Sequence, residues 1–196
     1  MGTLNLELLK EFKEKYNTPI FFETGTAWGE GVKTALKCGF KQIISVEIME
    51  PQYNILKDMF KTETTVNLIC TNSIAAMQQL LPTTKKNIFY WLDAHYPNAD
   101  LIQNDIRAKI QAYMDGDDTI RLPLEDELTL IKSLRPNNKD VIMIDDLNIY
   151  NNDISPEAYW LKPKKTFQKF FYKEIFKDTH NFLDINGVSG VLLPND

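Results

Sequence analysis

The chain has 196 residues, of which 43% are hydrophobic and 25% are charged, a composition typical of one globular domain. Its net charge of −5 argues against a protein dedicated to nucleic acids or anionic membranes, because neutralising phosphates requires a positive excess. Cys38 and Cys70 are too few for a disulfide framework, which favours a reducing, cytoplasmic location. No apolar run approaches the roughly 20 residues of a membrane-spanning helix, and the charged, amphipathic start does not resemble a signal peptide.

The first half of the chain alternates between helical and strand-like patterns. Apolar residues recur at helical spacing near the start and predict an opening helix over residues 5–17. Strands are then predicted over 18–23, 42–47, 65–70 and 87–92, and helices over 29–38, 51–60 and 74–81. Nearly all-apolar strands that alternate with helices are typical of a parallel sheet covered on both faces.

The second half continues the predicted sheet, but strands and helices no longer alternate regularly. Residues 95–122 interrupt the alternation, after which Pro123 opens a helix and residues 140–144 form a fifth strand. A helix is predicted over 166–177, and two short strands over 181–185 and 188–193 flank the hairpin signal Asn186-Gly187. The expected fold is a single α/β domain with a Rossmann-like, doubly wound, seven-stranded sheet that is mostly parallel and has one C-terminal antiparallel strand.

The turn after the first strand indicates which cofactor the sheet would bind. It reads Glu-Thr-Gly-Thr-Ala-Trp-Gly-Glu-Gly over residues 23–31, so Ala27 and Glu30 replace two glycines of the dinucleotide pattern Gly-x-Gly-x-x-Gly. Carboxylates here would repel a pyrophosphate, whereas S-adenosylmethionine carries an ammonium and a sulfonium that an acid attracts. The cofactor-binding candidates at this turn are Glu23, Thr24, Gly25, Thr26, Trp28 and Gly29.

The next strand ends extend this predicted cofactor site. Glu47 lies at the end of the second strand, where a carboxylate can accept both ribose hydroxyl protons, a feature that fits NAD and S-adenosylmethionine equally. Beside it lies Ile48, and Asn72 and Ser73 follow the third strand, near the expected place of the adenine. Asp93 follows the fourth strand and completes the cofactor-binding candidates.

Three carboxylates predict a metal site. Asp93 and the pair Asp145 and Asp146 follow neighbouring predicted strands, and crowded carboxylates repel one another unless a proton or a cation intervenes. An all-oxygen ligand set favours Mg²⁺, Mn²⁺ or Ca²⁺ over zinc. Because side chains alternate along a strand, Asp145 and Asp146 can both point inward only if the chain bends there.

His95 is the candidate catalytic base. It lies two residues beyond Asp93, and an imidazole can take a proton from a hydroxyl whose oxygen a metal orients. A packed or metal-ligating imidazole is the alternative interpretation. His180, which precedes the hairpin, is expected to be structural.

Five segments carry a resemblance to a known family: FFETGTAWGEG, ISVE, FYWLDAHYP, PLEDEL and IMIDDLNIY. Together they resemble the class I S-adenosylmethionine-dependent methyltransferases, and the Asp-Ala-His and Asp-Asp placements are similar to the metal-dependent sugar O-methyltransferases of the macrocin and novobiocin type. The resemblance implies Mg²⁺ ligation by Asp93, Asp145 and Asp146 and a sugar or glycan acceptor. The base of that family is an acidic residue at the position where this chain has His95.

Residues 95–122 are predicted to form a lid or acceptor-binding insertion. The candidate sugar contacts in and around it are Arg107, Arg121, Tyr96, Tyr150, Tyr159 and Trp160. Other functions stay open: an NAD-dependent nucleotide-sugar oxidoreductase or epimerase, a metal-independent methyltransferase of a small molecule or a protein, or a non-catalytic module that binds the cofactor for a partner. The sequence leaves the acceptor, the hydroxyl and the oligomeric state undetermined.

Overall fold

The computed structural model describes residues 4–97, 102 and 104–195, and within them a seven-stranded sheet. Its strands are β1 (Ile20–Thr24), β2 (Gln42–Glu47), β3 (Val66–Cys70), β4 (Ile88–Leu92), β5 (Val141–Ile144), β6 (His180–Asp184) and β7 (Gly190–Pro194). The spatial order is β3-β2-β1-β4-β5-β7-β6. The first five strands are parallel, and β7 is antiparallel to both of its neighbours. The predicted doubly wound sheet with one antiparallel strand is confirmed.

Helices cover both faces of the sheet. They are α1 (Leu6–Lys15), α2 (Glu30–Lys37), α3 (Glu50–Met59), α4 (Ser73–Leu80), α5 (Ile106–Met114), α6 (Asp118–Arg121), α7 (Leu124–Leu134), α8 (Leu147–Tyr150) and α9 (Phe171–Phe176), with 3₁₀ turns at Leu81–Thr83 and Pro156–Leu161. The apolar core under α1, α2 and α3 is separate from the core under α4, α7 and α9. Among the described residues, no helix combines the length and hydrophobicity that crossing a membrane requires.

The central strands are apolar on both sides because each face of the sheet has its own core. In β1 and β4, Phe22 and Tyr90 face the α4/α7 side with ring centroids 5.6 Å apart. Phe21 and Phe89 point to the opposite side and stack at 6.3 Å. Successive side chains of a strand point to opposite faces, so burial on both faces produces the continuous apolar runs seen in the sequence.

The predicted helix over 166–177 is wrong in its first half. The helix α9 begins only at Phe171, because Phe170 before it adopts a left-handed conformation with φ of 61°, which a helix cannot continue through. Phe167 is nevertheless buried and packs its ring against Tyr150 and Phe171, at 5.2 and 5.6 Å. An aromatic stripe thus reaches the core from an irregular segment rather than from a helix face.

The interrupting segment contains two helices, α5 and α6. Each begins with an aspartate cap, since Asp105 accepts from the backbone N–H groups of Arg107 and Ala108 and Asp117 accepts from that of Thr119. Part of the predicted lid, residues 98–101 and 103, falls outside the described residues.

A buried ion pair holds the amino edge of the sheet, opposite the carboxyl ends of its parallel strands. Arg135 lies 2.6 Å from Asp140 through Nε and Oδ2, and its other nitrogens donate to the carbonyl oxygens of Thr84 and Lys86. The second oxygen of Asp140 accepts from the backbone N–H of Ile88, so the pair joins α7, β4 and β5. Both side chains are almost fully buried and fully hydrogen-bonded, the condition under which losing one partner is costly.

We therefore expect Asp140→Ala to destabilise the fold by about 3–5 kcal/mol, because it leaves the Arg135 guanidinium buried and unpaired. The midpoint of thermal unfolding should fall by roughly 10 °C in a domain of this size, measured by calorimetry. Glu174→Ala is the control, since it removes an exposed pair with Lys177 and should cost less than about 1 kcal/mol. Equal losses in the two variants would contradict the structural role of the buried pair.

Candidate active site

A cavity of about 350 Å³ opens at the carboxyl edge of the sheet. The strand order reverses between β1 and β4, and ligands of doubly wound sheets bind at such a reversal. The loops after β1, β2, β3 and β4 all contribute to the wall, with residues from α6 and the start of α7 on the opposite side. Of the predicted cofactor-binding residues, the wall includes Gly25, Glu47, Ile48, Asn72, Ser73 and Asp93.

The first turn requires glycine at its start because the loop after β4 lies against it. Gly25 has φ of 82°, and a Cβ atom on it would lie 2.9 Å from the carbonyl oxygen of Asp93. Ala27 also has a positive φ, 46°, an uncommon conformation for a residue with a side chain. The turn is thus pressed between β2 and β4, which brings its backbone to the cavity.

Glu47 is held in a fixed orientation at the cavity wall. Its Oε2 accepts from the backbone N–H of Ala27 at 3.1 Å, and its Oε1 accepts from that of Met49 at 2.9 Å. Burial raises the pKa of Glu47 above its usual value, and the hydrogen bonds from the backbone oppose that rise. The carboxylate is therefore positioned for a ligand hydroxyl at the point where the sequence predicts ribose.

Glu23 lies behind the wall rather than on it. Its carboxyl group accepts from the hydroxyl of Ser45 and packs against the backbone of Gly31, where a Cβ atom would not fit. The pKa of Glu23 is raised to about 8, chiefly by burial; the hydrogen bond from Ser45 opposes the rise, and the nearby charges of Asp93 and Glu47 contribute to it. Thr24, Thr26, Trp28 and Gly29 also lie outside the cavity lining, with Thr26 hydrogen-bonded to Ser45 at 2.7 Å.

Three side chains converge at one end of the cavity. Asp93, His95 and Asp146 each offer one potential metal-ligating atom, and these atoms all lie within 4.8 Å of one another. Burial raises the pKa of Asp93 to about 6, the adjacent His95 lowers it, and Asp145 and Asp146 raise it again. The Oδ1 atom of Asp93 is buried and lies 3.4 Å from Nδ1 of His95.

The ring of His95 lies between the other two members of this group. Its Nδ1 is 2.8 Å from the backbone carbonyl oxygen of Asp93, and since a carbonyl only accepts, Nδ1 carries a proton. Its Nε2 is 3.2 Å from Oδ2 of Asp146. An unprotonated Nε2 and the carboxylate oxygen of Asp146 would repel each other at that distance unless a proton or a cation lay between them. The space between these two atoms therefore favours a positive charge.

The two adjacent aspartates after β5 point in different directions. Asp146 has φ of 54°, and this left-handed bend supplies the turn that the alternation of side chains requires. Asp145 instead accepts from the hydroxyl of Ser189 at 2.5 Å, and its other oxygen is buried without a partner. Among the described residues, the three-membered group includes Asp146 and leaves Asp145 outside.

One buried acid near the cavity was not among the residues predicted from the sequence. Glu127 on α7 is 1% exposed and faces the hydroxyls of Ser73 and Thr24. Burial raises the pKa of Glu127 to about 7, and one of its oxygens has no hydrogen-bond partner. The signal was present in the sequence, because Glu127 shares the apolar helical face of Leu124 and Leu128.

Three predicted sugar contacts are buried instead. The ring of Tyr96 lies 5.2 Å from the guanidinium of Arg121, and its hydroxyl donates to the carbonyl oxygen of Leu161. Arg121 in turn pairs with Asp118. Tyr150 is buried among phenylalanines. These side chains fasten the segment with α5 and α6 to the sheet, and Tyr96 also contributes to the cavity wall.

Comparison with solved structures identifies the fold as that of the class I methyltransferases. A candidate caffeoyl-CoA O-methyltransferase from Staphylococcus aureus superposes with a TM-score of 0.60 at 15% identity, over 100% of this chain and 85% of that one. The O-methyltransferase TomG from Streptomyces achromogenes, solved with S-adenosylmethionine, has a TM-score of 0.58 at 10% identity, over 97% and 79%. An O-methyltransferase from Bacillus cereus, solved with S-adenosylhomocysteine, has a TM-score of 0.54 at 14% identity, over 96% and 80%. No family model and no curated protein matches the sequence.

The raised pKa of Glu23 predicts how Glu23→Gln changes stability with pH. A carboxyl group whose pKa rises on folding stabilises the fold below its unfolded value of 4.5, and this contribution is lost as the pH rises through about 8. Glutamine stays neutral and avoids that loss. The difference between the unfolding midpoint of the variant and that of the unchanged protein, both measured without ligand, should therefore grow as the pH is raised from about 5 to about 8.

Glu30→Gln is the matched control because it removes an exposed carboxylate from the same turn, paired with Lys33 at 2.6 Å. Its unfolding midpoint should track that of the unchanged protein across the same pH range. If Glu23→Gln gave a parallel curve as well, the buried protonated state of Glu23 would be rejected.

Proposed function

We propose that the protein is an S-adenosylmethionine-dependent, divalent-metal-dependent O-methyltransferase that acts on a sugar hydroxyl, free or in a glycan. The observation that carries the proposal is the juxtaposition of an acid-lined cavity at the strand reversal with Asp93, His95 and Asp146 at its end. A ligand cavity, a group of carboxylates and a histidine that can transfer a proton are thereby brought together at one edge of the sheet.

The cavity suits a cationic cofactor without phosphates. Glu47 would accept the ribose hydroxyl protons, and Ile48, Asn72 and Ser73 would surround the adenine. Asp93, which lines the cavity, would place negative charge near the ammonium and the sulfonium. When bound, S-adenosylmethionine supplies an electrophilic methyl group. The same carboxylates disfavour the pyrophosphate of NAD, so the oxidoreductase alternative receives less support.

The acid cluster suits a hard divalent cation such as Mg²⁺, Mn²⁺ or Ca²⁺. Asp93 and Asp146 would hold it, and the charge of the neighbouring Asp145 raises the pKa of Asp93. Such an ion lowers the pKa of a bound hydroxyl and orients its oxygen. The resemblance to metal-dependent sugar O-methyltransferases supports the choice of acceptor.

His95 is proposed as the base. Its Nδ1–H is fixed by the carbonyl oxygen of Asp93, so Nε2 is the nitrogen that can take a proton. With S-adenosylmethionine supplying the methyl group, Nε2 would take the proton of the acceptor hydroxyl. Asp146, 3.2 Å from Nε2, then stabilises the resulting imidazolium.

A cytoplasmic location is proposed on the state of the cysteines. Cys38 and Cys70 are both free thiols, as expected in a reducing compartment.

Cofactor choice is tested by thermal shift with S-adenosylmethionine and NAD, each with and without Mg²⁺. At one hundred times the dissociation constant, a ligand adds about 2.7 kcal/mol of stability, or roughly 5–10 °C in a domain of this size. We expect that rise with S-adenosylmethionine alone. Glu47→Gln should reduce it, whereas Glu50→Gln, an exposed acid outside the cavity lining, should not. A rise with NAD only would reverse the assignment.

The base and ligand roles of His95 are separated by measuring two quantities in His95→Ala. If His95 is the base, methyl transfer should fall by about 10²–10⁴-fold, while Mn²⁺ affinity, measured by electron paramagnetic resonance, changes little. Asp146→Asn should weaken Mn²⁺ binding, and Asp178→Asn, an exposed acid outside the cluster, serves as its control. A large loss of Mn²⁺ affinity in His95→Ala would show that His95 is a metal ligand instead. Full methyl-transfer activity in the presence of EDTA would contradict the metal dependence.

A further inference from the structure

A second cleft lies at the same edge of the sheet, towards β7 and β6. Its volume is about 330 Å³, and it is formed by α8, the start of α9 and the hairpin between β6 and β7. The cofactor cavity lies at the carboxyl ends of β1 to β4. The Asp93–His95–Asp146 cluster follows β4 and β5, which lie between the cavity and the cleft in the order of the strands. In the order of the strands, the cleft and the cofactor cavity therefore lie on opposite sides of the cluster.

The polar groups of this cleft suit an anionic, hydroxyl-rich ligand. Lys169 and Lys173 supply two ammonium groups, which together can neutralise a carboxylate or a phosphate. Asp153 and Asp184 supply acceptors for hydroxyl groups. Acceptors and cations around one cleft match a sugar that carries an acidic group better than they match an apolar compound.

Phe170 adds an aromatic surface at a strained position. Phe170 is 46% exposed, and its backbone has φ of 61°, a conformation that is a genuine outlier for a bulky residue. The backbone N–H of Phe170 donates to Oδ1 of Asn151, and Lys173 lies 4.6 Å from the ring centroid. A strained backbone that presents an exposed ring to a cleft is typical of a ligand clamp.

The helix α8 connects this cleft to the acid cluster. Asp146 precedes α8, Leu147 at its first position lines the cleft, and Asn151 follows its last. At about 1.5 Å per residue, one turn of helix separates the two ends. Because Leu147 follows Asp146 directly in the chain and also lines the cleft, the cleft begins next to the acid cluster.

We propose that this cleft binds an acidic sugar unit of the acceptor, next to the unit that is methylated. Lys169 and Lys173 neutralise its acidic group, Phe170 packs against the face of its ring, and Asp153 and Asp184 accept from its hydroxyls. This inference rests on the proposed function, since it assigns the substrate of the same methyl transfer.

Binding of two sugars that differ only in charge tests the proposal. Saturation-transfer NMR with methyl β-D-glucuronide and methyl β-D-glucoside requires neither S-adenosylmethionine nor a metal. We expect the glucuronide to bind about tenfold more tightly, as a charge-assisted contact implies. The double variant Lys169→Gln/Lys173→Gln should lose this preference. The control Lys162→Gln/Lys177→Gln, with the same change of charge at exposed lysines outside the cleft, should keep it.

Phe170→Gly distinguishes a ligand contact from a structural role. Glycine adopts a positive φ without strain, so the unfolding midpoint should stay within about 3 °C of that of the unchanged protein. Glucuronide binding should nevertheless fall at least about fivefold, because the stacking surface is gone. A large loss of stability together with unchanged binding would make Phe170 a structural residue and overturn its part in the cleft.

The outcomes separate this proposal from the function on which it rests. Absence of binding by either sugar, equal binding of the two, or an unchanged preference in the Lys169→Gln/Lys173→Gln variant would overturn the cleft assignment, whatever the cofactor measurements give. Glucuronide binding without a thermal shift by S-adenosylmethionine would support a sugar site but reject the methyltransferase. Each proposal therefore fails on its own measurement.

Discussion

The carboxyl edge of the sheet is organised around buried carboxyl groups that repel one another. Glu23, Asp93 and Glu127 all have raised pKa values, chiefly because burial disfavours their charged forms. When such buried acids are ionised close together, they destabilise the folded protein. The cost falls when a proton, a cationic cofactor or a divalent ion balances the charge, so the same feature that weakens the fold favours ligands of positive charge.

Backbone strain places these groups where the strands end. Gly25 and Ala27 after β1, Tyr96 after β4 and Asp146 after β5 all have positive φ. These residues lie where each strand must stop and turn its side chains towards the cavity. Positive φ at residues with side chains is found at many functional sites, and here Ala27, Tyr96 and Asp146 lie next to the acids.

The rest of the molecule provides a rigid support for that edge. Two separate cores clamp the sheet from both faces, and the Arg135–Asp140 pair joins α7, β4 and β5 at the opposite edge. Close-packed interiors of this kind have low compressibility. The segment with α5 and α6 is tied to the site by the contact between Tyr96 and Arg121, so it forms part of the cavity wall.

Local pattern in the sequence determined the strands, most of the helices, the antiparallel strand and the residues at the strand ends, because apolar periodicity and turn chemistry act over a few residues. Only the tertiary structure decided that Asp146 rather than Asp145 joins Asp93 and His95, since a single left-handed residue redirects the chain. It also decided that Glu127 lies near the cavity and that α9 begins only at Phe171. These outcomes depend on contacts between residues distant in the chain, which no local spacing encodes.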